Sequence, residues 1–338
     1  MKVSIIIPTF QRCNSVKRVL LALMNQTFPV SEYEVIVSID GSEDGTREMV
    51  KQFNSPYKLR YIWESNSGRA KACNRGIHIA DGEILIILDD DMEPSSELIE
   101  AHYSMHLNDF KLGVMGAAPI LIAESSTMAA RYIAKEFNSR QQKISDPDYQ
   151  FKIWDFYGGN FSIRKDLITK LSGFNEDFKV YGDEDIELAL RLIKDGIKIV
   201  FQPDALCTQH YESDFRELAM KTMKGGANAI LLVKLHPESF SELYFRNYNK
   251  AGWKWRFTRI FLIWSSLLLP FTKNCIIASV KLFENVNPKF QDRICHYAID
   301  YFLWLGIWIA IKKDNNKELL NKIKTYKISK KPSAKKSK

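Results

Sequence analysis

Residues Ile84–Pro94 read ILIILDDDMEP, and few stretches restrict a chain more. Five apolar residues run without interruption into Asp89, Asp90 and Asp91. A continuous run of that length suits a strand buried on both faces, as in a parallel sheet. In open α/β sheets, ligands bind beyond the carboxyl ends of such strands. Three carboxylates at that place repel one another and rise in pKa unless a cation holds them. Their hard oxygens suit magnesium, manganese or calcium. The stretch therefore predicts a divalent metal with a phosphate-bearing ligand on its far side. Taken without the rest of the chain, it also reads as a strand ending in an acidic turn that caps a helix from Ser95.

The residues before it repeat one pattern. Val3–Ile7, Tyr33–Ile39 and Leu59–Trp63 read as strands. Helices are expected after Asn14 or Ser15, from Thr46, and over Ala70–Ala80, with short turns between. Strand–helix alternation of this kind predicts an α/β parallel-sheet unit. No GxGxxG and no Walker loop follow the first strand, so neither glycine-rich phosphate grip is present. A metal would take over that task. Further on, Gly158-Gly159 precede a strand, where paired glycines let backbone approach a ligand closely. They also read as an ordinary turn. A second acidic group, Asp183-Glu184-Asp185, opens a helix marked by Ile186, Leu188, Ala189 and Leu192. Acids there complement the helix dipole, but three in a row after Gly182 exceed what capping needs. His210 stands alone, and a lone histidine is more often structural than a ligand.

Assembled in order, these motifs resemble the family 2 glycosyltransferases, inverting enzymes with the nucleotide-sugar-binding GT-A fold. The resemblance covers roughly Val3 to Tyr211. It rests on Ile5-Ile6-Ile7-Pro8-Thr9-Phe10, Asp40-Gly41-Ser42-Glu43-Asp44-Gly45-Thr46, and Asn66-Ser67-Gly68 through Asn74-Arg75-Gly76. It continues through Leu88-Asp89-Asp90-Asp91, Gly158-Gly159-Asn160, and Glu184-Asp185-Ile186-Glu187-Leu188 with His210 downstream.

The resemblance implies an α/β GT-A fold, a mainly parallel sheet flanked by helices, and a role for each motif. Pro8, Thr9, Phe10, Arg12 and Asp40 would hold the nucleotide base, with uridine diphosphate as the default because an Asp accepts the uracil imide N–H. Lys71 would reach the diphosphate. Asp89 and Asp91 form the DxD element: Asp91 for the metal, Mn2+ or Mg2+, Asp89 for ribose or metal, with Asp90 beside them on the nucleotide. Gly158, Gly159 and Asn160 would line the sugar pocket, and His210 would be a further metal ligand. Asp185 would be the base and Glu184 would orient the acceptor, a glycan or lipid-linked hydroxyl. One departure is Cys73, where the family often has arginine.

The C-terminal part differs in character. Trp253, Trp255, Phe257, Ile260–Trp264 and Leu267–Phe271 form one aromatic run, Ile276–Phe283 continues it, and Tyr301–Ile311 forms another. Neither offers the roughly 20 clean apolar residues of a spanning helix. Tryptophan and tyrosine favour a membrane interface, and Arg256, Arg259, Lys312 and Lys313 favour anionic headgroups. From Lys312 onward eleven lysines face only Asp314 and Glu318, so the whole-chain charge of +8 belongs to this tail. A folded body near neutrality argues against nucleic acid as partner. The expected organisation is a GT-A domain over 1–245, a helical membrane-interfacial extension over 246–328 and a disordered lysine-rich tail over 329–338. Five scattered cysteines without a CxxC pair, and an N-terminus without a cleavage site, predict the cytoplasmic side of the membrane. A helical extension packed on the body, or a dimer interface, is the other reading of these runs. Other functional readings are a nucleotidyltransferase, which leaves Glu184-Asp185 without a task, and a non-catalytic nucleotide-sugar-binding or membrane scaffold protein.

Overall fold

The computed structural model describes residues 1–123, 126–180, 182–241, 252–269, 271–284 and 286–325. Strands in chain order are β1 (Val3–Thr9), β2 (Tyr33–Asp40), β3 (Lys58–Glu64), β4 (Ile84–Leu88), β5 (Met92–Pro94), β6 (Leu112–Gly116), β7 (Asn160–Arg164), β8 (Lys198–Gln202) and β9 (Cys207–Gln209). Seven of them form one sheet in the order β3-β2-β1-β4-β7-β6-β8. β1 pairs in parallel with β2 and β4, and β2 with β3. Every residue of β1, β2 and β4 is buried, which is why they read as continuous apolar runs. β7 runs antiparallel to both β4 and β6, while β6 and β8 are parallel, so the sheet is mixed.

The helices are α1 (Cys13–Leu23), α2 (Thr46–Gln52), α3 (Arg69–Ile79), α4 (Leu98–Met105), α5 (Met128–Ile144), α6 (Lys165–Lys170), α7 (Glu184–Lys194), α8 (Phe215–Leu235), α9 (Trp253–Leu268), α10 (Thr272–Leu282), α11 (Pro288–Lys313) and α12 (Lys317–Thr325). α1 begins one residue before the expected caps. Its first amide, on Cys13, donates to Asp44 Oδ2 at 2.9 Å, so the acidic turn after β2 caps a helix 31 residues earlier. Such a bond satisfies one of the orphan amides of a helix start.

At the far end of the chain, α11 packs along α8. Tyr301, Phe302, Trp304, Leu305 and Ile307 are buried there and join the core of the sheet domain. Gly226 of α8 and Gly306 of α11 make the close approach: a Cβ on either would overlap the Leu303 or the Met223 carbonyl oxygen. The aromatic run at Tyr301–Ile311 is therefore largely a core helix face. By length and composition α11 is apolar enough to cross a membrane, but half of its most apolar window is buried inside the protein. The 245/246 boundary and the 329–338 tail lie outside the described residues.

Candidate active site

β1, β2 and β4 end on the same side of the sheet, and the loops beyond them enclose a cavity of about 770 Å³. Pro8 and Thr9 end β1 in its wall, Phe10 and Arg12 follow them, Asp40 ends β2, and Asp89, Asp90 and Asp91 follow β4. Asp183, Glu184 and Asp185 at the start of α7 line the cavity as well, and Lys221 and Lys224 come in from α8. Pro8 and Gly225, the extremes of this lining and 217 positions apart in sequence, thus share one space.

Each carboxylate is held by specific groups. The Asp89 amide donates to the Gly159 carbonyl at 2.8 Å. Thr9 Oγ1 donates to Asp90 Oδ2 at 2.6 Å. The Asp91 carboxylate has Gln209 Nε2 at 3.4 Å from each oxygen. Asp185 accepts from the Gly158 amide at 3.2 Å and from the Ile186 amide at 2.8 Å. Glu184 Oε2 accepts from the Gly182 amide at 2.7 Å. Asp40 is only 3% exposed and spends both oxygens on its own chain: Ser67 and Gly68 amides at 2.9 Å each, and Arg75 Nη1 at 3.1 Å.

Gly158 and Gly159 pass between the two acidic groups. A Cβ on Gly159 would overlap Asp89 Oδ2, and one on Gly158 would sit 3.0 Å from Asp185 Cβ. Only glycine lets the strand thread there. Asn160 does not line the cavity. It is fully buried, donates to the Ala117 and Ala205 carbonyls at 3.0 and 2.8 Å, and bonds His102 at 2.8 Å. The alternation of a strand turns it to the other side, so the sugar-pocket expectation is corrected to a structural role that ties three segments beneath the cavity.

Lys71 is exposed and stands apart from the cavity lining. Two residues along a helix point to nearly opposite faces, and the face of α3 that meets the cavity carries Arg69. Its Nε and Nη2 lie 3.0 and 2.7 Å from Asp89 Oδ1, Nη2 also reaches the Gly158 carbonyl at 3.1 Å, and Nη1 is 3.5 Å from Glu184 Oε1. One guanidinium fork thus links the carboxylate after β4 to the acids opening α7. The sequence reading missed it, and missed Lys221 too. Arg69 left a signal only in its place, directly after Gly68, at the start of α3.

Burial and like charge shape the titration. Burial first, and the neighbouring Asp91 second, push Asp90 up to about 7. Burial, with the Asp89 charge added, pushes Asp91 up to about 6. Burial raises Glu184 to about 7 against the pull of Arg69, and raises Asp185 in the same way. Crowded carboxylates of this sort bind a proton or a hard cation readily.

His210 does not turn toward them. The β5–β9 ribbon sets Met92 opposite Gln209 and lets the His210 amide donate to the Asp91 carbonyl at 2.8 Å. The imidazole instead faces Glu93, with Nε2 2.7 Å from Oε2. Among the described residues no three His, Cys, Asp or Glu side chains converge as a metal cage. The expected set Asp89, Asp91 and His210 is corrected accordingly: Asp89 is paired with Arg69 and His210 with Glu93. Asp91 keeps a carboxylate toward the cavity. Magnesium-like ions commonly take only one or two protein carboxylates and complete their shell with substrate phosphates and water, and the chemistry of this donor set fits such an ion.

Comparison with known proteins gives the geometry a lineage. The family described as "Glycosyl transferase family 2" matches residues 4–172, half of the chain. A second, described as "N-terminal domain of galactosyltransferase", matches residues 138–213. The probable glycosyltransferase YdaM of Bacillus subtilis is 29% identical over 211 residues, which are 61% of this chain and half of that relative's length. Among solved structures, a mannosyltransferase from Pyrobaculum calidifontis in complex with GDP-Man and Mn2+ superposes with a TM-score of 0.57 at 18% identity, covering 91% of this chain and 87% of that one. S. aureus TarS 1-349 in complex with UDP-GlcNAc does so with a TM-score of 0.53 at 15% identity, covering 93% and 92%. The fold is thus of the α/β GT-A type with extra C-terminal helices, and the chain, a glycosyltransferase, belongs to glycosyl transferase family 2.

Proposed function

We propose that this glycosyltransferase carries out metal-dependent, inverting transfer from a nucleotide-diphosphate sugar, with a uridine donor as the first choice, to a hydroxyl of a glycan or lipid-linked acceptor at a membrane surface. The observation that carries the reading is the pair Glu184-Asp185, facing Asp89–Asp91 across one cavity and joined to them by Arg69 and the Gly158-Gly159 backbone.

Phe10, 49% exposed on the cavity rim, offers a face for the base, with Pro8, Thr9 and Arg12 beside it. Asp40 would act on the base indirectly, by holding the Ser67-Gly68 turn that lines the same wall. Asp91 would hold Mn2+ or Mg2+ together with the donor diphosphate, and the ion would supply neutralisation of the charge on that leaving group. Arg12 and Lys221 add positive charge at the same end of the cavity. Asp185 takes the proton of the acceptor hydroxyl. The acceptor oxygen bonds to the anomeric carbon as the bond from that carbon to the diphosphate oxygen breaks. The electron pair leaves with the diphosphate, and a single displacement inverts the centre. Glu184 orients the acceptor. Residues 1–245 serve as the catalytic unit and 246–328 as a helical extension that brings the enzyme to the cytoplasmic face of an anionic membrane.

A titration calorimetry series tests the donor side. Uridine diphosphate binds in the presence of Mn2+, and chelator weakens that binding and abolishes transfer until Mn2+ or Mg2+ returns. Guanosine diphosphate is the comparison arm, because the Pyrobaculum relative was solved with a guanosine donor. Full activity in chelator would remove the metal role of Asp91. Silence with every nucleotide would favour the non-catalytic scaffold reading.

The pH dependence follows from the raised carboxyls. A general base must be ionised, so activity falls as the pH drops through its pKa. With Glu184 at about 7 and Asp185 raised by burial, the acid limb of kcat/KM is expected nearer neutrality than the pH of about 4 set by an ordinary carboxylate. An acid limb at pH 4 counts against this pair as the titrating groups.

A further inference from the structure

α9 presents an apolar stripe that the protein itself does not cover. Trp253, Phe257, Phe261, Trp264 and Leu268 are 75%, 72%, 64%, 56% and 74% exposed. At 3.6 residues per turn these five positions fall within an arc of roughly 80°. The opposite side holds the buried residues Arg259, Ile263 and Ser266. Its orientation is pinned, because Arg259 Nη1 and Trp255 Nε1 both donate to Asp300 Oδ2 on α11, at 2.8 and 2.7 Å. The patch continues past the helix through Leu269 and Phe271, and α10 adds Leu282, which is 80% exposed.

The charge carried by this segment itself has one sign. From Trp253 to Phe283 there is no Asp or Glu, while Lys254, Arg256, Arg259, Lys273 and Lys281 are all present. Contiguous exposed apolar surface on this scale marks an interaction site. Tryptophan in particular suits the boundary between headgroups and hydrocarbon.

We infer that the outer face of α9, extended by Phe271 and Leu282, docks the enzyme on an anionic lipid bilayer, with the helix lying along the surface. This rests on the membrane reading above and says which face makes the contact. The chemistry of the surroundings selects the partner. Anionic headgroups match Lys254, Arg256 and Lys273, whereas pairing with a second copy of the same face would bring these cations together. The length selects the pose. Sixteen residues rise about 24 Å, short of the roughly 30 Å of a hydrocarbon core, and the rear of the helix is bound to α11. α11, the more apolar helix on paper, is occupied by α8 and is not the contact.

The test uses the full chain with phosphatidylcholine vesicles, with and without phosphatidylglycerol, in a co-sedimentation assay. The wild type is expected to bind the anionic vesicles and to release with salt. The variant Trp253→Ser/Phe257→Ser/Phe261→Ser, altered only at exposed positions, is expected to lose at least about tenfold in binding. Its melting temperature and uridine diphosphate affinity are expected to stay at wild-type values. Lys254→Glu/Arg256→Glu is expected to lose the preference for phosphatidylglycerol. A wild type that binds neither vesicle overturns both the membrane reading and this inference. A wild type that binds anionic vesicles, with the triple variant binding equally, overturns the α9 assignment alone. A solution dimer that the triple variant converts to monomer also overturns it, in favour of a second copy as the occupant.

Discussion

Asp185→Asn is expected to fold as the wild type does and to lose sugar transfer by roughly two to four orders of magnitude. The substituted amide keeps one acceptor oxygen, which can take the Ile186 amide as Asp185 Oδ1 does now at 2.8 Å, and it gives up the longer bond from the Gly158 amide to Oδ2 at 3.2 Å. The bond at the start of α7 therefore stays in place, and only the weaker tie to the glycine pair is lost. What disappears is the ability to take a proton from the acceptor hydroxyl. Single-turnover transfer, measured beside the melting temperature and nucleotide affinity, separates these effects. Near-normal turnover would take the role of base away from Asp185. A matching loss of nucleotide affinity would mean that the residue organises the donor site instead.

The second large effect belongs to Arg69, which the motifs alone did not point to. Arg69→Ala is expected to lower stability by about 3–5 kcal/mol at alkaline pH, the usual cost of stranding the partner of a buried ion pair. The Arg69 side chain is 11% exposed, Glu184 3% and Asp89 22%, so water relieves only part of that cost. The pH dependence has a definite sign. Asp90, Asp91 and Glu184 already titrate at about 7, 6 and 7. A carboxyl whose folded pKa is raised contributes stability that is present at low pH and lost as the pH climbs through the folded value. The metal-free wild type is therefore expected to melt higher at pH 5 than at pH 8. Removing Arg69 takes away a positive charge that favours the ionised forms, so the gap between the two melts should widen in the variant. An unchanged gap would mean that Arg69 contributes packing rather than charge.

Much of the catalytic half was legible because its signals are local. β1, β2 and β4 are buried on both faces, so each had to be a continuous apolar run, and each run leads into the loop that lines the cavity. The acids at Glu184-Asp185 announced themselves by exceeding what a helix start needs. β7 was different. Asn160–Arg164 reads as a strand, but nothing in five residues says which way a strand runs, and it proved antiparallel to both neighbours. The C-terminal runs were ambiguous for a related reason. An aromatic, apolar stretch satisfies a bilayer and a protein core equally well. α11 and α9 are alike in composition, yet one is enclosed by α8 and the other faces outward.

Near neighbours in sequence could therefore be assigned from the sequence: strand positions, the carboxylates at their ends, the glycines between them, the family, and the lysine excess of the tail. Periodicity and charge are short-range properties, and they survive in the bare string. The tertiary structure decided which of two nearby cations meets the cavity, since α3 turns Arg69 inward and Lys71 out. It sent His210 to Glu93 rather than toward Asp91, and it set Asn160 beneath the cavity. Each of those outcomes depends on a partner far away in sequence, such as the Gly158 carbonyl 89 residues from Arg69 or Glu93 117 residues from His210. Contacts of that range exist only once the chain has closed around them, because side-chain direction is set by packing and not by residue type.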